Sequence, residues 1–416
     1  MIFNTSKKFA EEMDVKDPLR SYQDSFYIPT QTSGERHIYL CGNSLGLQPK
    51  NTRDFIDQEL KDWQNLGVEG HFYAKNPWLP YHEFLSESYS RIIGAKTSEV
   101  VAMNTLSVNL HLMFVSFYQP NKERFKIVIE NDAFPSDIYA VESHLKHHNL
   151  DPKDVLIKMK PRVGEDVLRT EDILELLSNE GDSIALVMFG GVNYYTGQVF
   201  DFAEITKSCN ERGIKVGFDL AHAAGNISLS LHDWGVDFAV WCSYKYLNSG
   251  PGSIGGAFIH EKHHRSNLNR FAGWWGHNKE TRFKMPEKFD PIQSAEGWQL
   301  SNPPILSLAA IRASLSIFDK VGMKSLLKKS QQLTSYLVFL IDNISSDRIS
   351  IITPNKRGCQ ISIKVRNANK NLFKQITDKG VVADWREPDV IRVAPVPLYN
   401  SYMDVYNFYK ILEEEL

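Results

Sequence analysis

Between residues 100 and 259 the sequence alternates short apolar runs with stretches of helical periodicity, and this alternation restricts the fold more than any other feature. The runs are KIVIEN (126–131), IALVMFGG (184–191), KVGFDL (215–220), FAVWCS (238–243) and SIGGAFI (253–259). Strands that are apolar along their whole length are buried on both faces, and strands that alternate with helices pair in parallel. The sequence therefore predicts an α/β fold with a mostly parallel sheet covered by helices on both faces.

Two helices can be delimited from the sequence. In DFAEITKSCNERG (201–213), Asp201 is a typical N-cap, Glu204 follows three residues later and Gly213 is a typical stop. A second, amphipathic helix is predicted over residues 51–66. Its apolar side chains at helical spacing are Phe55, Ile56, Leu60 and Trp63.

The character of the chain changes after SNPPILSLAA (301–310), where a long helical stretch is predicted over about 305–345. The segments that follow are CQISIKV (359–365), ANKNLFKQITDKG (368–380) and DVIRVAPV (389–396). A chain of 416 residues is too long for one simple core. The predicted units are an N-terminal segment packing on the small domain (1–50), a large domain (51–300) and a small C-terminal α+β domain (301–416).

Composition excludes several classes of partner. With a net charge of -3, 42% hydrophobic and 23% charged residues, the chain is typical of a soluble globular protein and has no basic excess for nucleic acid. The N-terminus has no apolar signal core, and no apolar run is long enough to cross a membrane. The four cysteines form no C-x-x-C pair, so we expect no metal site and reduced thiols in the cytoplasm.

Two ionisable residues stand where predicted strands end, and function in such sheets gathers at that edge. Asp219 closes KVGFDL, and Lys245 follows FAVWCS. Partial desolvation disfavours an ammonium, and a neutral lysine can form a Schiff base with an aldehyde such as pyridoxal phosphate. Asp219 is then the carboxylate for the pyridine nitrogen, and His222 could either support it or contact the ring substituent.

Each of these residues alone also fits a structural role. Lys245 could be a solvated rim charge, Asp219 a cap and His222 a core histidine. Together with the Gly-rich turn after Lys245, they favour a cofactor site.

The sequences FDLAHAAGN (218–226) and CSYKYLNSGPGSIGGAFIH (242–260) resemble the pyridoxal-phosphate enzymes of the aspartate-aminotransferase fold, and within them the kynureninases. Further similar stretches are YLCGNSLGLQPK (39–50), MNTLSVNLHLM (103–113), NDAFPSD (131–137), YYTGQVFD (194–201), GWWGH (273–277), RFKM (282–285), LSNPPIL (300–306) and IRVAPVPLYN (391–400). The resemblance covers about residues 20–416. It implies that the large domain binds pyridoxal phosphate (fold type I) and that the protein is a homodimer with its active site at the interface.

The resemblance also implies cofactor contacts. Lys245 would carry the cofactor, Asp219 would pair with the pyridine nitrogen and Phe134 would stack on the ring. The other implied cofactor-binding residues are Leu106, Ser107, Pro135, Ser136, Asp137, Gly190, His222, Tyr244, Trp274 and Asn302. The last two are expected from the partner subunit. Gly190 departs from the family pattern, which often has a hydroxyl or acidic residue there, and so offers only backbone.

The implied reaction is hydrolysis of L-kynurenine or 3-hydroxy-L-kynurenine to anthranilate or 3-hydroxyanthranilate plus L-alanine, in tryptophan degradation or NAD biosynthesis. Arg392 would bind the α-carboxylate, because a guanidinium pairs with a carboxylate bidentately. The residues implied for the aryl pocket are Ser44, His71 and Asn302. Lys245 would take the Cα proton, and Tyr244 would serve as the acid–base group at the ketone.

Three alternatives remain open at this point. A cysteine desulfurase has the same fold but needs a reactive cysteine on a mobile loop, whereas Cys359 opens a predicted strand. An aminotransferase would hold a dicarboxylate or keto acid and would not need the aryl pocket. A scaffold protein without activity is disfavoured because such a protein should lose Lys245 first.

Overall fold

A computed structural model describes residues 2–416 of the chain. Its strands are β1 (Ile38–Tyr39), β2 (Val100–Ala102), β3 (Lys126–Glu130), β4 (Leu156–Met159), β5 (Ile184–Gly190), β6 (Lys215–Asp219), β7 (Phe238–Trp241), β8 (Gly256–Ile259), β9 (Ile349–Ile351), β10 (Ile361–Val365), β11 (Val381–Val382), β12 (Asp384–Arg386) and β13 (Val390–Val393). Its helices are α1 (Lys7–Lys16), α2 (Thr52–Leu66), α3 (Gly70–Tyr73), α4 (Ser86–Ile93), α5 (Leu106–Phe117), α6 (Pro135–His147), α7 (Pro152–Val155), α8 (Thr170–Glu180), α9 (Phe202–Glu211), α10 (Leu231–Trp234), α11 (Ile305–Val321), α12 (Met323–Asp342), α13 (Lys370–Asp378) and α14 (Tyr402–Glu415).

The main sheet has seven strands in the order β2-β8-β7-β6-β5-β3-β4. Strands β3 to β7 run parallel, whereas β8 lies antiparallel to both β7 and β2. A parallel neighbour needs a crossover, usually through a helix. The connection from Trp241 to Gly256 contains no α-helix, so β8 returns antiparallel. This connection carries Lys245.

Each face of the main sheet has its own hydrophobic core. Phe189 on β5 and Phe218 on β6 point into one core, whereas Met188 on β5 and Val240 on β7 point into the other. Successive side chains of a strand point to opposite faces, so a sheet covered on both sides requires apolar residues at every position. The predicted fold class is therefore confirmed.

The smaller unit is a four-stranded antiparallel sheet, in the order β12-β13-β10-β9, with α12, α13 and α14 in its core. Helix α1 joins this core through Ala10 and Met13, and the Asp14 carboxylate accepts a hydrogen bond of 2.7 Å from Tyr402 N at the start of α14. The predicted long helical stretch is two helices, because Gly322 at φ +75° ends α11. Helix α11 packs in the core of the main sheet.

Helix α2 is present where it was predicted, but the chain itself leaves much of its apolar stripe uncovered. Leu60 is 41% exposed and Trp63 60% exposed. The helix packs beside α11, and Asn51 before its first turn donates to Ala313 O at 3.1 Å. The remaining apolar surface faces away from the core. In the described part of the chain, no helix combines the length and the apolar character needed to cross a membrane.

Hydrogen bonds hold the small unit against the loops at the strand ends. The Asn226 carboxamide accepts from Cys359 N at 2.7 Å and donates to His222 O at 2.8 Å. Gln360 Nε2 donates to Tyr194 O at 2.9 Å. The two units therefore meet beside the residues predicted to form the site.

Candidate active site

A pocket opens at the carboxyl edge of the main sheet, where β3, β5 and β6 end at Glu130, Gly190 and Asp219. The predicted residues that line it are Leu106, Ser107, Phe134, Ser136, Asp137, Gly190, Asp219, His222, Tyr244 and Lys245. The fold thus brings together side chains from segments up to about 140 residues apart, as expected for the edge of a doubly wound sheet.

The Lys245 amine projects into this pocket from the turn after β7. Its Nζ lies 3.1 Å from His222 Nε2 and 5.8 Å from the centre of the Phe134 ring. Gly46 N donates to Tyr244 O at 2.8 Å, and a Cβ at Gly46 would lie 2.3 Å from Lys245 O. Only glycine permits this close approach, which holds the lysine turn in place.

Two carboxyl groups lie beside the amine. Asp219 is 6% exposed and accepts from Ala221 N at 2.7 Å. Burial raises the pKa of Asp219, while the charge of Lys245 opposes this rise. Burial and the charge of Asp219 raise the pKa of Asp137 well above its usual value. Asp137 therefore holds a proton more readily than Asp219, and Asp219 is the more acidic member of the pair.

His222 is neutral in this setting. Burial lowers its pKa well below the usual value, and the charge of Lys245 lowers it further. Its Nδ1 is buried, and no described residue offers it a hydrogen-bond partner. A neutral imidazole can accept a hydrogen bond from the Lys245 amine through Nε2.

Another part of the pocket lining suits an anion. Ser107 on α5 and Ser136 on α6 lie with their hydroxyl oxygens 2.9 Å apart, so the N-termini of two helices meet there. Among the described side chains, none caps either helix. Free N–H groups at a helix N-terminus bind phosphate readily.

These features together fit pyridoxal phosphate. Lys245 could bind its aldehyde, Asp219 its ring nitrogen and the two helix starts its phosphate. The orphaned Nδ1 of His222 and Oδ1 of Asp137 are polar atoms for which a polar ring substituent could supply partners.

Several predicted site residues do not line the pocket within one chain. They are Ser44, His71, Pro135, Trp274, Asn302 and Arg392. His71 Nδ1 donates to Val68 O at 2.9 Å, and the Trp274 indole donates to Arg282 O at 3.1 Å. Ser44 and Asn302 are exposed, and Pro135 is the first residue of α6.

Arg392 lies directly behind the pocket and is 1% exposed. Its guanidinium donates to the Asp384 carboxylate and to Tyr194 O. The guanidinium carbon lies 5.8 Å from the centre of the Tyr194 ring, and that ring lines the pocket. Arg386 donates to the same Asp384 oxygen at 3.1 Å, so one carboxylate is shared by two arginines.

Sequence reasoning missed three residues of this region whose side chains carry polar groups. Glu130 and Tyr194 line the pocket, and Asp384 engages Arg392. Glu130 ends a strand in the same way as Asp219, so its position at a strand end was a usable signal. Asp384 gave no such signal, because its contact with Arg392 depends on the antiparallel register of β12 and β13.

Comparison with known proteins decides the family. The chain is 55% identical to the kynureninase of Myxococcus xanthus, over 99% of this chain and 98% of that protein. The chain belongs to the kynureninase family. It is also 56% identical to the kynureninase of Koribacter versatilis, over 98% of this chain and 97% of that one. The family model described as "Kynureninase C-terminal domain" matches residues 326–412.

Solved structures similar to this family member share its fold. A cystine C–S lyase in complex with cysteine persulfide superposes with a TM-score of 0.77 at 15% identity, covering 91% of this chain and 97% of the other. An apo cysteine desulfurase from Thermococcus onnurineus gives a TM-score of 0.75 at 17% identity, covering 100% and 98%. A desulfurase requires an accessible thiol, whereas Cys359 is buried against Ser330 and burial raises its pKa to about 12.

Proposed function

We propose that the protein is a kynureninase, a pyridoxal-phosphate enzyme that hydrolyses the Cβ–Cγ bond of L-kynurenine or its 3-hydroxy form. The products are anthranilate or 3-hydroxyanthranilate and L-alanine. The observation that carries the proposal is the Lys245 amine in a pocket that also holds the Asp219 carboxyl group and two uncapped helix starts, in a full-length relative of kynureninases. We propose a role in tryptophan degradation or NAD synthesis on the basis of these products, and the four free thiols support a cytoplasmic location.

Lys245, Asp219 and the serines would hold the cofactor. When bound, pyridoxal phosphate supplies an electron sink for the charge that develops at the substrate Cα. The Asp219 carboxylate favours a proton on the ring nitrogen, and Asp137 supports that carboxylate with its own proton. Lys245 takes the proton from Cα, and His222 at 3.1 Å holds the amine in the direction of the pocket.

Tyr244 is the proposed proton donor at the substrate ketone. Burial raises its pKa, so the phenol stays protonated and can donate as water adds to the carbonyl carbon. The phenolate takes back a proton from the added water. When the Cβ–Cγ bond breaks, its electron pair leaves with Cβ, and Tyr244 relays a hydroxyl proton of the hydrated ketone to Cβ. Its ring centre lies 6.0 Å from Lys245 Nζ, so the two groups reach the same substrate.

Arg392 is the proposed site for the α-carboxylate. In the structure its donors are engaged by Asp384 and Tyr194 O, while the buried Nε finds no partner among the described residues. A substrate carboxylate would therefore compete with Asp384, which keeps Arg386 as its second partner.

A homodimer would complete the site. Trp274 is 40% exposed and packs edge to face on Phe283, which is 54% exposed, so this segment presents apolar surface to solvent. Trp63 on α2 also presents apolar surface to solvent. Exposed apolar patches mark interaction surfaces. We propose that these exposed apolar patches contact a second copy of the chain and that Trp274 and Asn302 reach the pocket of the partner. Ser44 and His71 are the further residues proposed for the aryl pocket.

The test is to incubate the cofactor-loaded protein with L-kynurenine and, separately, with 3-hydroxy-L-kynurenine. Fluorescence follows anthranilate, and an enzymatic assay follows alanine. Equimolar aryl acid and alanine support the proposal, and the ratio of the two kcat/KM values identifies the preferred substrate. If neither substrate yields product while the cofactor spectrum still responds to amino acids, the proposed reaction is wrong.

A further inference from the structure

Glu130 is a buried acid to which the roles above assign nothing. It ends β3, is 4% exposed and lines the cofactor pocket. Its two carboxyl oxygens lie 3.0 and 3.3 Å from the N–H of Gly190, which ends the neighbouring strand β5. A Cβ at Gly190 would lie 2.9 Å from Glu130 Oε1. The missing side chain at Gly190 therefore makes room for this carboxyl group.

The groups that face Glu130 are mostly acidic. Asp219 on β6 and Asp132 after β3 act on it electrostatically, and Glu130 acts in turn on Asp137 of α6. Among the described residues that line the pocket, Lys245 is the single cation. His222 is neutral and Tyr244 is protonated, so neither offsets the acids. Several ionised carboxylates in a buried pocket with one cation are unfavourable, and protonation relieves the repulsion.

The pKa of Glu130 follows this environment. Burial raises it to about 8, the Gly190 N–H opposes the rise, and the charge of Asp219 adds to it. The carboxyl is therefore neutral at pH 7 and ionises as the pH increases through about 8. The neutral acid can still accept from Gly190 N through its carbonyl oxygen.

We propose that Glu130 is a positioning residue whose neutral carboxyl group holds the end of β5 and leaves Asp219 as the single negative charge at the pyridine end of the pocket. This inference rests on the proposed function, because it assumes that Asp219 faces the cofactor ring. Ionisation of Glu130 places a second negative charge beside Asp219. That charge favours protonated forms of nearby nitrogen bases, including Lys245.

The first test measures protonation without turnover. Infrared spectra of the cofactor-free protein would be recorded from pH 6 to pH 10, and the carboxylic-acid C=O band would be followed. In wild type, the part of this band that Glu130 contributes should disappear as the pH increases through about 8. In Glu130→Gln, this part should be absent at every pH. Asp132→Asn is the matched control and should keep the wild-type loss. A band that is the same in Glu130→Gln and wild type would overturn the proposal.

The second test uses the cofactor-loaded protein. Glu130→Gln keeps an acceptor oxygen and is permanently neutral, so at pH 7 it should keep cofactor affinity and kcat/KM within about 3-fold of wild type. Above pH 8 the absorbance titration of its bound cofactor should have its midpoint lower by on the order of half a pH unit. Glu130→Ala leaves Gly190 N without a partner and should bind the cofactor at least about 5-fold more weakly.

Superimposable titrations of wild type and Glu130→Gln would overturn the proposal. So would a Glu130→Gln enzyme that binds the cofactor as weakly as Glu130→Ala, because the charge itself would then be required. If wild type does not hydrolyse kynurenine, the proposed function fails separately. The infrared and absorbance titrations still decide the role of Glu130 in that case, since neither uses the substrate.

Discussion

Replacement of Arg392 by lysine tests whether this buried guanidinium binds the substrate. Arg392 is placed behind Tyr194 with two donors on Asp384 and Tyr194 O. Lysine keeps the positive charge but loses the planar fork, and therefore one charge-assisted hydrogen bond to the substrate carboxylate. Such a bond contributes about 1.5–3 kcal/mol, which corresponds to a loss of roughly 10- to 150-fold in kcat/KM. The loss should appear mainly in KM.

The assay compares two substrates and two variants. Kynurenine and the analogue that lacks its α-carboxylate would be assayed with wild type, Arg392→Lys and Arg386→Lys. Arg386 donates to the same Asp384 oxygen, but its side chain is 36% exposed, so it serves as the matched control. We expect Arg392→Lys to lose efficiency with kynurenine alone and Arg386→Lys to stay within about 3-fold of wild type with both.

Equal losses with both substrates would refute the reasoning. They would mean that Arg392 acts by holding β13 against the Tyr194 loop, a structural role that its contacts would also allow. Unchanged kinetics with kynurenine would exclude Arg392 from carboxylate binding. Thermal unfolding of each variant separates these results from a general loss of stability.

Three further outcomes are expected. Lys245→Ala should abolish turnover and the absorbance of the lysine-bound cofactor, and normal turnover in this variant would contradict its assignment. Tyr244→Phe should slow C–C cleavage more than it weakens cofactor binding. Single-turnover kinetics measure the cleavage rate, and cofactor titration measures the binding. Weaker cofactor binding at an unchanged cleavage rate would contradict the role of Tyr244 as proton donor. Inactive Lys245→Ala and Trp274→Ala chains can be mixed so that they pair at random. If Trp274 acts across a two-fold interface, half of the dimers are mixed and one site in each has both residues intact, so about a quarter of the sites should regain activity. No recovery beyond the sum of the parents would place Trp274 in its own subunit's site.

Much of the fold could be predicted because strands buried on both faces have an unambiguous pattern. The KVGFDL segment predicted β6 together with the position of Asp219 at its end. The direction of β8 could not be read in this way, because a short apolar run looks the same in either orientation. The break at Gly322 had a local signal, but a glycine within a helical pattern does not by itself show that the chain changes partners there.

The site residues also fall into those that a local sequence pattern predicts and those that depend on long-range pairing. Lys245, Asp219 and His222 lie at strand ends or just beyond them, so their meeting follows from the order of strands in the sheet. The Asp384–Arg392 pair depends on a cross-strand register in the small unit. Trp274 and Asn302 depend on a second copy of the chain in our proposal, and a single sequence carries no pattern for that contact. Glu130 could have been found with the logic that identified Asp219.

The pocket leaves two buried polar atoms, His222 Nδ1 and Asp137 Oδ1, without partners among the described residues and crowds acids around one amine. Such groups destabilise a folded chain until something binds them. A ligand present at a hundred times its dissociation constant adds about 2.7 kcal/mol to the stability of the folded state. The cellular supply of cofactor therefore controls more than the number of working active sites. It controls how long each newly made copy escapes proteolysis, so a shortage of cofactor lowers the amount of protein as well as its activity.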